Sequence, residues 1–152
     1  MKAALDTNIL VYAEGVNDAA KAGMARSLMG RLGAHAVIPL QVLAEFFHVL
    51  TVKARIPAEE ARDLVSELSD LQPTVPTSPD VLALAMELVA RHRFRIFDAI
   101  VVCAAIMGGC RLLLSEDMQD GFQFQGLTIV NPFADPPHPD LASFLARLPE
   151  SP

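Results

Sequence analysis

Two cysteines are too few for a disulfide framework in a chain of 152 residues, and Cys103 and Cys110 have no histidines at metal-ligand spacing. They read as reduced core thiols, which excludes a zinc-finger or disulfide-stapled module. No apolar run reaches the length of a membrane span, and the amino terminus lacks the basic segment, long apolar stretch and cleavage site of a secretory signal. A soluble, cytoplasmic protein with no membrane contact is predicted. Bases are scarce as well: 12 Lys and Arg against 18 Asp and Glu leave a net charge of -6, so a uniformly basic binding face is excluded. His48 has no second histidine close in sequence, and it reads as a polar or packing residue rather than a metal ligand.

What the chain does have is an apolar fraction of 52%, enough for one sizeable core. The charge is uneven. Residues 57–90 hold seven acids and one base, whereas 91–111 hold Arg91, Arg93, Arg95 and Arg111 against Asp98 alone. This basic strip directly before Asp98 suits a phosphodiester backbone; the alternative is that the arginine stems cover a helix end.

Periodicity predicts a strand at residues 3–5, a helix over 19–32 with Met24, Leu28 and Leu32 near one face, and a strand at 36–38. A helix from Pro39 to about Ala54 presents Leu40, Leu43, Phe47 and Leu50 on one face and sets Glu45 and His48 three apart on another. A short helix from Pro57, an edge segment at 73–75, and a helix opened by Ser78 and Pro79 with Leu82, Met86 and Val89 inward come next. The methionines read as core filling. A helix at 97–107, a strand at 111–114 and a last strand at 127–130 complete the pattern, with Phe122 and Phe124 in a glycine-flanked excursion. Short apolar strands alternating with helices predict an α/β fold, a three-layer α/β/α sandwich around a mainly parallel sheet. Residues 1–133 form the domain and 134–152 a proline-containing appendage, whose Leu141, Phe144, Leu145 and Leu148 have the spacing of a docked helix.

Four acids stand in apolar company: Asp6 after the first strand, Glu45 within Leu43-Ala44-Glu45-Phe46-Phe47, Asp98 within Phe97-Asp98-Ala99-Ile100, and Asp117 in Ser115-Glu116-Asp117. Burying ionised carboxylates is costly unless they are compensated, so one shared cation accounts for all four economically. The other reading makes Asp6 and Asp98 helix caps and turns the remaining acids to water.

Asp6-Thr7-Asn8, Glu45 in a mid-chain helix, Asp98 opening an apolar helix, and Ser115-Glu116-Asp117 followed by Thr128-Ile129-Val130-Asn131-Pro132-Phe133 resemble the PIN-domain ribonucleases, in particular the VapC-type toxins of bacterial toxin–antitoxin pairs. The resemblance spans residues 2–133. It implies a sheet of about five strands and a divalent metal, Mg²⁺ or alternatively Mn²⁺, held among Asp6, Glu45, Asp98 and Asp117 as the catalytic acids. It also implies that Asn8 steadies the Asp6 corner and that Ser115 positions the acidic loop. RNA phosphodiesters are the implied substrate, with Arg91, Arg93 and Arg95 as candidate backbone contacts. A cognate antitoxin and a homodimer or toxin–antitoxin hetero-oligomer are the implied partners. Glu116 and Asp120 are expected to face solvent, with adjustment of metal occupancy as the alternative. A weakly active PIN-like RNA-binding or structural module, and a DNA-directed nuclease, are the other readings.

Overall fold

A computed structural model describes residues 1–149; residues 150–152, the end of the 134–152 appendage, lie outside the described residues. In chain order the elements are β1 (Ala3–Leu5), α1 (Thr7–Ala13), α2 (Ala19–Leu32), β2 (Ala36–Pro39), α3 (Leu40–His48), a π-helical turn (Val49–Lys53), α4 (Ala58–Leu71), β3 (Thr74–Val75), α5 (Pro79–His92), α6 (Ile96–Met107), β4 (Leu112–Leu114), β5 (Gln123–Phe124), β6 (Leu127–Val130) and α7 (Pro139–Ala146).

The strands form one sheet in the order β3-β2-β1-β4-β6-β5, parallel throughout except for the β5–β6 hairpin. The expected architecture is present, with six strands rather than about five. The additional strand, β5, comes from the glycine-flanked excursion, where Gln125 (φ 45°) and Gly126 (φ 83°) make the tight turn that brings Phe124 opposite Leu127. Every residue of β1, β2, β4 and β6 is buried, as strands covered on both faces require.

Helix boundaries follow local chemistry. Asp18 accepts from the amides of Ala20 and Lys21 (2.9 and 3.2 Å) to open α2, and Gly33 at φ 50° ends it. Ser78 accepts from Val81 N (3.2 Å) to open α5, with Pro79 in its first turn. Several inward faces are rotated from those predicted. Leu32, Leu43 and Leu50 are buried as predicted, but Met24, Leu40, Leu82 and Met86 are exposed, and the other buried positions are Ala22 and Ala25 in α2, Val42 and Phe46 in α3, and Val81, Ala85 and Leu88 in α5. In α2 and α5 small residues take the buried positions and Met24 and Met86 are turned outward, whereas Met118 is buried and Met29 packs against the core, as core-filling methionines do. The helix beginning after Pro57 is also longer than expected, at 14 residues. Near the carboxyl end, Leu141 and Phe144 of α7 are buried against the main core, and Arg31 Nη2 donates to Leu145 O (3.1 Å).

From β1 the chain moves outward through β2 to β3, then crosses to the other side of β1 to form β4. The strand order therefore reverses between β1 and β4, and a crevice opens beyond the carboxyl ends of those two strands.

Candidate functional site

Asp6 follows β1 directly, and its amide continues the ladder by donating to Leu114 O (3.0 Å). Its Oδ1 accepts from Thr7 N (2.8 Å) and so caps α1; its Oδ2 accepts from Ser115 Oγ (2.7 Å) and Asn8 Nδ2 (3.3 Å). The two sequence readings of this residue are compatible: one oxygen caps the helix, and the other faces the crossover to β4. With 6% of its surface exposed, Asp6 has a pKa pushed up to about 6. Desolvation is the main cause, and the negative charges of Asp98 and Glu45 add to it. The bonds from Ser115 and Thr7 oppose the rise without cancelling it.

The other three acids approach this carboxylate from separate elements. Glu45 on α3 accepts from Thr7 Oγ1 at Oε2 (3.0 Å) and from Gln41 Nε2 at Oε1 (3.1 Å). Asp117, in the loop after β4, accepts from Asn8 Nδ2 (3.2 Å), so the two amide hydrogens of Asn8 serve Asp6 and Asp117. The Asn8 carbonyl accepts from Glu116 N (3.2 Å), which uses the whole side chain. Asp98 lies in the first turn of α6; burial raises its pKa first and the charge of Glu45 next, Arg95 lowers it, and Asp117 raises it further. Thr7 and Asn8 link Asp6 to Glu45 and Asp117 by hydrogen bonds, and among the described residues Asp98 is connected to Asp6, Glu45 and Asp117 only through charge.

The crevice, about 750 Å³ in volume, is lined by Thr7, Asn8, Gln41, Glu45 and Asp117 together with Tyr12, His48, Lys53 and Arg95. Among the described residues, no three His, Cys, Asp or Glu side chains are drawn into one compact metal-binding group. Asp6, Glu45 and Asp117 are each held by neutral partners (Thr7, Asn8, Gln41 or Ser115) instead of converging on one another, and Asp98 has Arg95 as its nearby positive charge. The donor set is nonetheless all oxygen, and its most buried member is a carboxylate whose ionisation is disfavoured until positive charge arrives. That chemistry fits a hard divalent cation that retains part of its water shell.

Of the three arginines before Asp98, only Arg95 lines the crevice. Arg91 pairs with Glu87 on an exposed helix face (3.3 Å), and Arg93 ends α5 in a left-handed conformation at φ 58°. Asp120 accepts from Asn131 N (2.8 Å) and braces the start of the segment after β6. Glu116 does not face solvent: it is drawn against Lys21 and Tyr12. Sequence reasoning missed Gln41 and Lys53. The first was visible in principle, four residues before Glu45 on a helix. The second reaches the crevice through a π-helical turn, which has no dependable sequence signature.

Residues 3–122 match the PIN domain family. No curated protein matches the chain in sequence. Among solved structures, the VapC20 toxin of Mycobacterium tuberculosis, which cleaves the sarcin-ricin loop, is similar at 20% identity and a TM-score of 0.64, covering 76% of this chain and 92% of that one. A chain of a toxin–antitoxin complex from Klebsiella pneumoniae is similar at 18% identity and a TM-score of 0.66, covering 87% and 98%. A chain of VapBC2 from Rickettsia felis, bound to a fragment of its promoter DNA, is similar at 18% identity and a TM-score of 0.61, covering 85% and 97%. At these identities the likeness is one of fold.

Proposed function

The chain belongs to the PIN domain family, and on that premise we propose that it is a divalent-metal-dependent ribonuclease, the toxin of a toxin–antitoxin pair. The observation that carries this reading is the buried Asp6 carboxylate, electrostatically coupled to Asp98 and Glu45 at the switch point of the sheet. Mg²⁺ or Mn²⁺, when bound, supplies polarisation of the scissile phosphate and a more acidic water. Asp6 is the central ligand in this reading, fixed by Thr7 N and Ser115 Oγ, and Asn8 ties it to Asp117. Glu45 is oriented by Thr7 and Gln41 toward the same crevice. One of Glu45, Asp98 and Asp117 accepts the proton of the attacking water in this reading, and the raised pKa of half-buried Asp98, which holds a proton more readily than a free aspartate, supports Asp98 in that role. Arg95 and Lys53 supply positive charge to a polyanion entering an otherwise acidic crevice. RNA is favoured as substrate because a similar fold, that of VapC20, belongs to a toxin that cleaves the sarcin-ricin loop.

A partner fits the surface beside the site. An apolar groove of about 530 Å³ runs between α3 and α4, lined by Leu40, Leu43, Ala44, Phe47 and Val65. Ala44 also lines the acidic crevice, so the groove and the crevice are neighbours. An antitoxin segment seated in the groove is therefore within reach of the acids, where a guanidinium would satisfy their charge and displace the cation. Similar folds in toxin–antitoxin complexes support this reading.

The decisive experiment is cleavage of defined RNAs by the chelator-stripped protein, with and without added Mg²⁺ or Mn²⁺. Metal should restore cleavage in the native chain and leave Asp6→Asn inactive. An undiminished rate in excess chelator, or equal turnover by Asp6→Asn, refutes the proposal; cleavage of matched DNA alone would move it to the DNA-directed alternative.

A further inference from the structure

Next to Asp117, but pointing away from it, Glu116 enters a cluster that catalysis as proposed does not use. Its Oε1 accepts from Lys21 Nζ (2.7 Å) and from Tyr12 OH (3.1 Å). Lys21 Nζ also lies 5.1 Å from the centroid of the Tyr12 ring and 5.7 Å from that of Phe133, and those two rings meet edge to face at 5.3 Å. Glu116 Oε2 is buried and has no hydrogen-bond partner among the described residues. The carboxylate is therefore compensated through one oxygen only, and Lys21 provides the only ion pair it makes among the described residues. Without that cation a largely buried negative charge would be left uncompensated, and relief would come by swinging Glu116 outward to water.

Such a movement would not stay local. Glu116 N donates to Asn8 Oδ1 (3.2 Å), and the amide of Asn8 orients both Asp6 and Asp117. Tyr12 lies on the same helix as Asn8 and itself lines the crevice. We propose that Lys21, Tyr12 and Glu116 form a positioning clamp that holds the Ser115–Asp117 loop against α1 and so sets the affinity of the crevice for its divalent cation. Lys21 is a positioning residue, since it touches no crevice acid in the structure, and its effect passes through Glu116 and Asn8. The clamp also silences a fifth acid: Glu116, neutralised by Lys21, stands next to the crevice without adding free charge to it.

This inference rests on the metal-dependent reading, and Mn²⁺ binding measured by calorimetry on the whole chain tests it without reference to turnover. Glu116→Gln keeps the size and one hydrogen-bonding oxygen but loses the ion pair, and Lys21→Met keeps the stem over the rings but loses the charge. Each should weaken Mn²⁺ binding about tenfold, the lower range for partners that orient metal ligands. The double variant should be no weaker than the worse single one, because both changes break the same link. Tyr12→Phe, which keeps the ring, should give a smaller loss in the same direction. Thermal unfolding of each variant separates positioning from folding: a lower Tm with unchanged Mn²⁺ affinity refutes the clamp, and so do fully additive losses in the double variant. A native chain that binds no Mn²⁺ refutes the metal-dependent reading and this inference with it, whereas native binding unaffected by all three substitutions refutes the clamp alone.

Discussion

Asp6 is where folding and proposed function pull in opposite directions. Its carboxyl group has a pKa of about 6 against an ordinary 3.8, so the folded chain holds this proton more tightly than the unfolded chain does. Between those two values the folded state binds more protons, and stability must fall as pH rises through that window. The stabilisation is fully present below pH 3.8 and gone above pH 6, and a displacement of that size corresponds to about 3 kcal/mol. Asp98 is shifted in the same direction and adds to the trend. Chemical denaturation of the chelator-treated protein at pH 4.5 and pH 7 should show lower stability at pH 7. Asp6→Asn should flatten that dependence, since the amide retains the capping oxygen and does not titrate. An Asn variant with the native pH profile would show that Asp6 is not the destabilised group.

At the scale of elements, a close approach lies where α6 ends beside β3 at the edge of the sheet. A β-carbon on Gly108 would come within 2.6 Å of Val75 Cγ2, and a valine on a strand has few rotamers with which to give way. Gly108→Ala should therefore destabilise the protein by about 1–3 kcal/mol, the usual range for overpacking, despite alanine's better helix propensity. Unfolding titrations of the variant decide it, and a neutral or stabilising result would mean that β3 yields. The existence of most elements was legible in the sequence because caps and breakers are local: Asp18, Gly33, Ser78 and Pro79 mark helix ends wherever they occur. The inward faces were less legible, because Ala25 is chosen over Met24, and Ala85 over Met86, by how closely neighbouring helices approach. The acids could be read singly from their apolar surroundings. Their supports, Thr7 to Glu45 and Asn8 to Asp117, join residues 38 and 109 positions apart and exist only in the folded chain. Glu116 was misread as an exposed acid for the same reason, its partner Lys21 being 95 residues away.

Across the whole molecule, net charge and local charge disagree, and under the proposed function the local charge of the crevice is the one that an RNA backbone would meet. The chain carries -6 overall, yet Arg95 lies close enough to Asp98 to lower its pKa, and Lys53 lines the same crevice from the π-helical turn. Arg91 is occupied by Glu87 on the exposed face of α5. Backbone contact should therefore fall to Arg95 and Lys53 rather than being shared along the 91–95 strip. Each phosphate neutralised on a single strand contributes about 0.7 to the slope of log affinity against log salt. In an Asp6→Asn background, where RNA stays intact, Arg95→Gln and Lys53→Gln should each reduce that slope by about this amount and weaken binding alike for unrelated sequences. Arg91→Gln should leave both quantities unchanged. Titrations at several salt concentrations give the answer: an unaltered slope for Arg95→Gln and Lys53→Gln, or a loss confined to Arg91→Gln, would place the RNA path on the outer face of α5, away from the crevice.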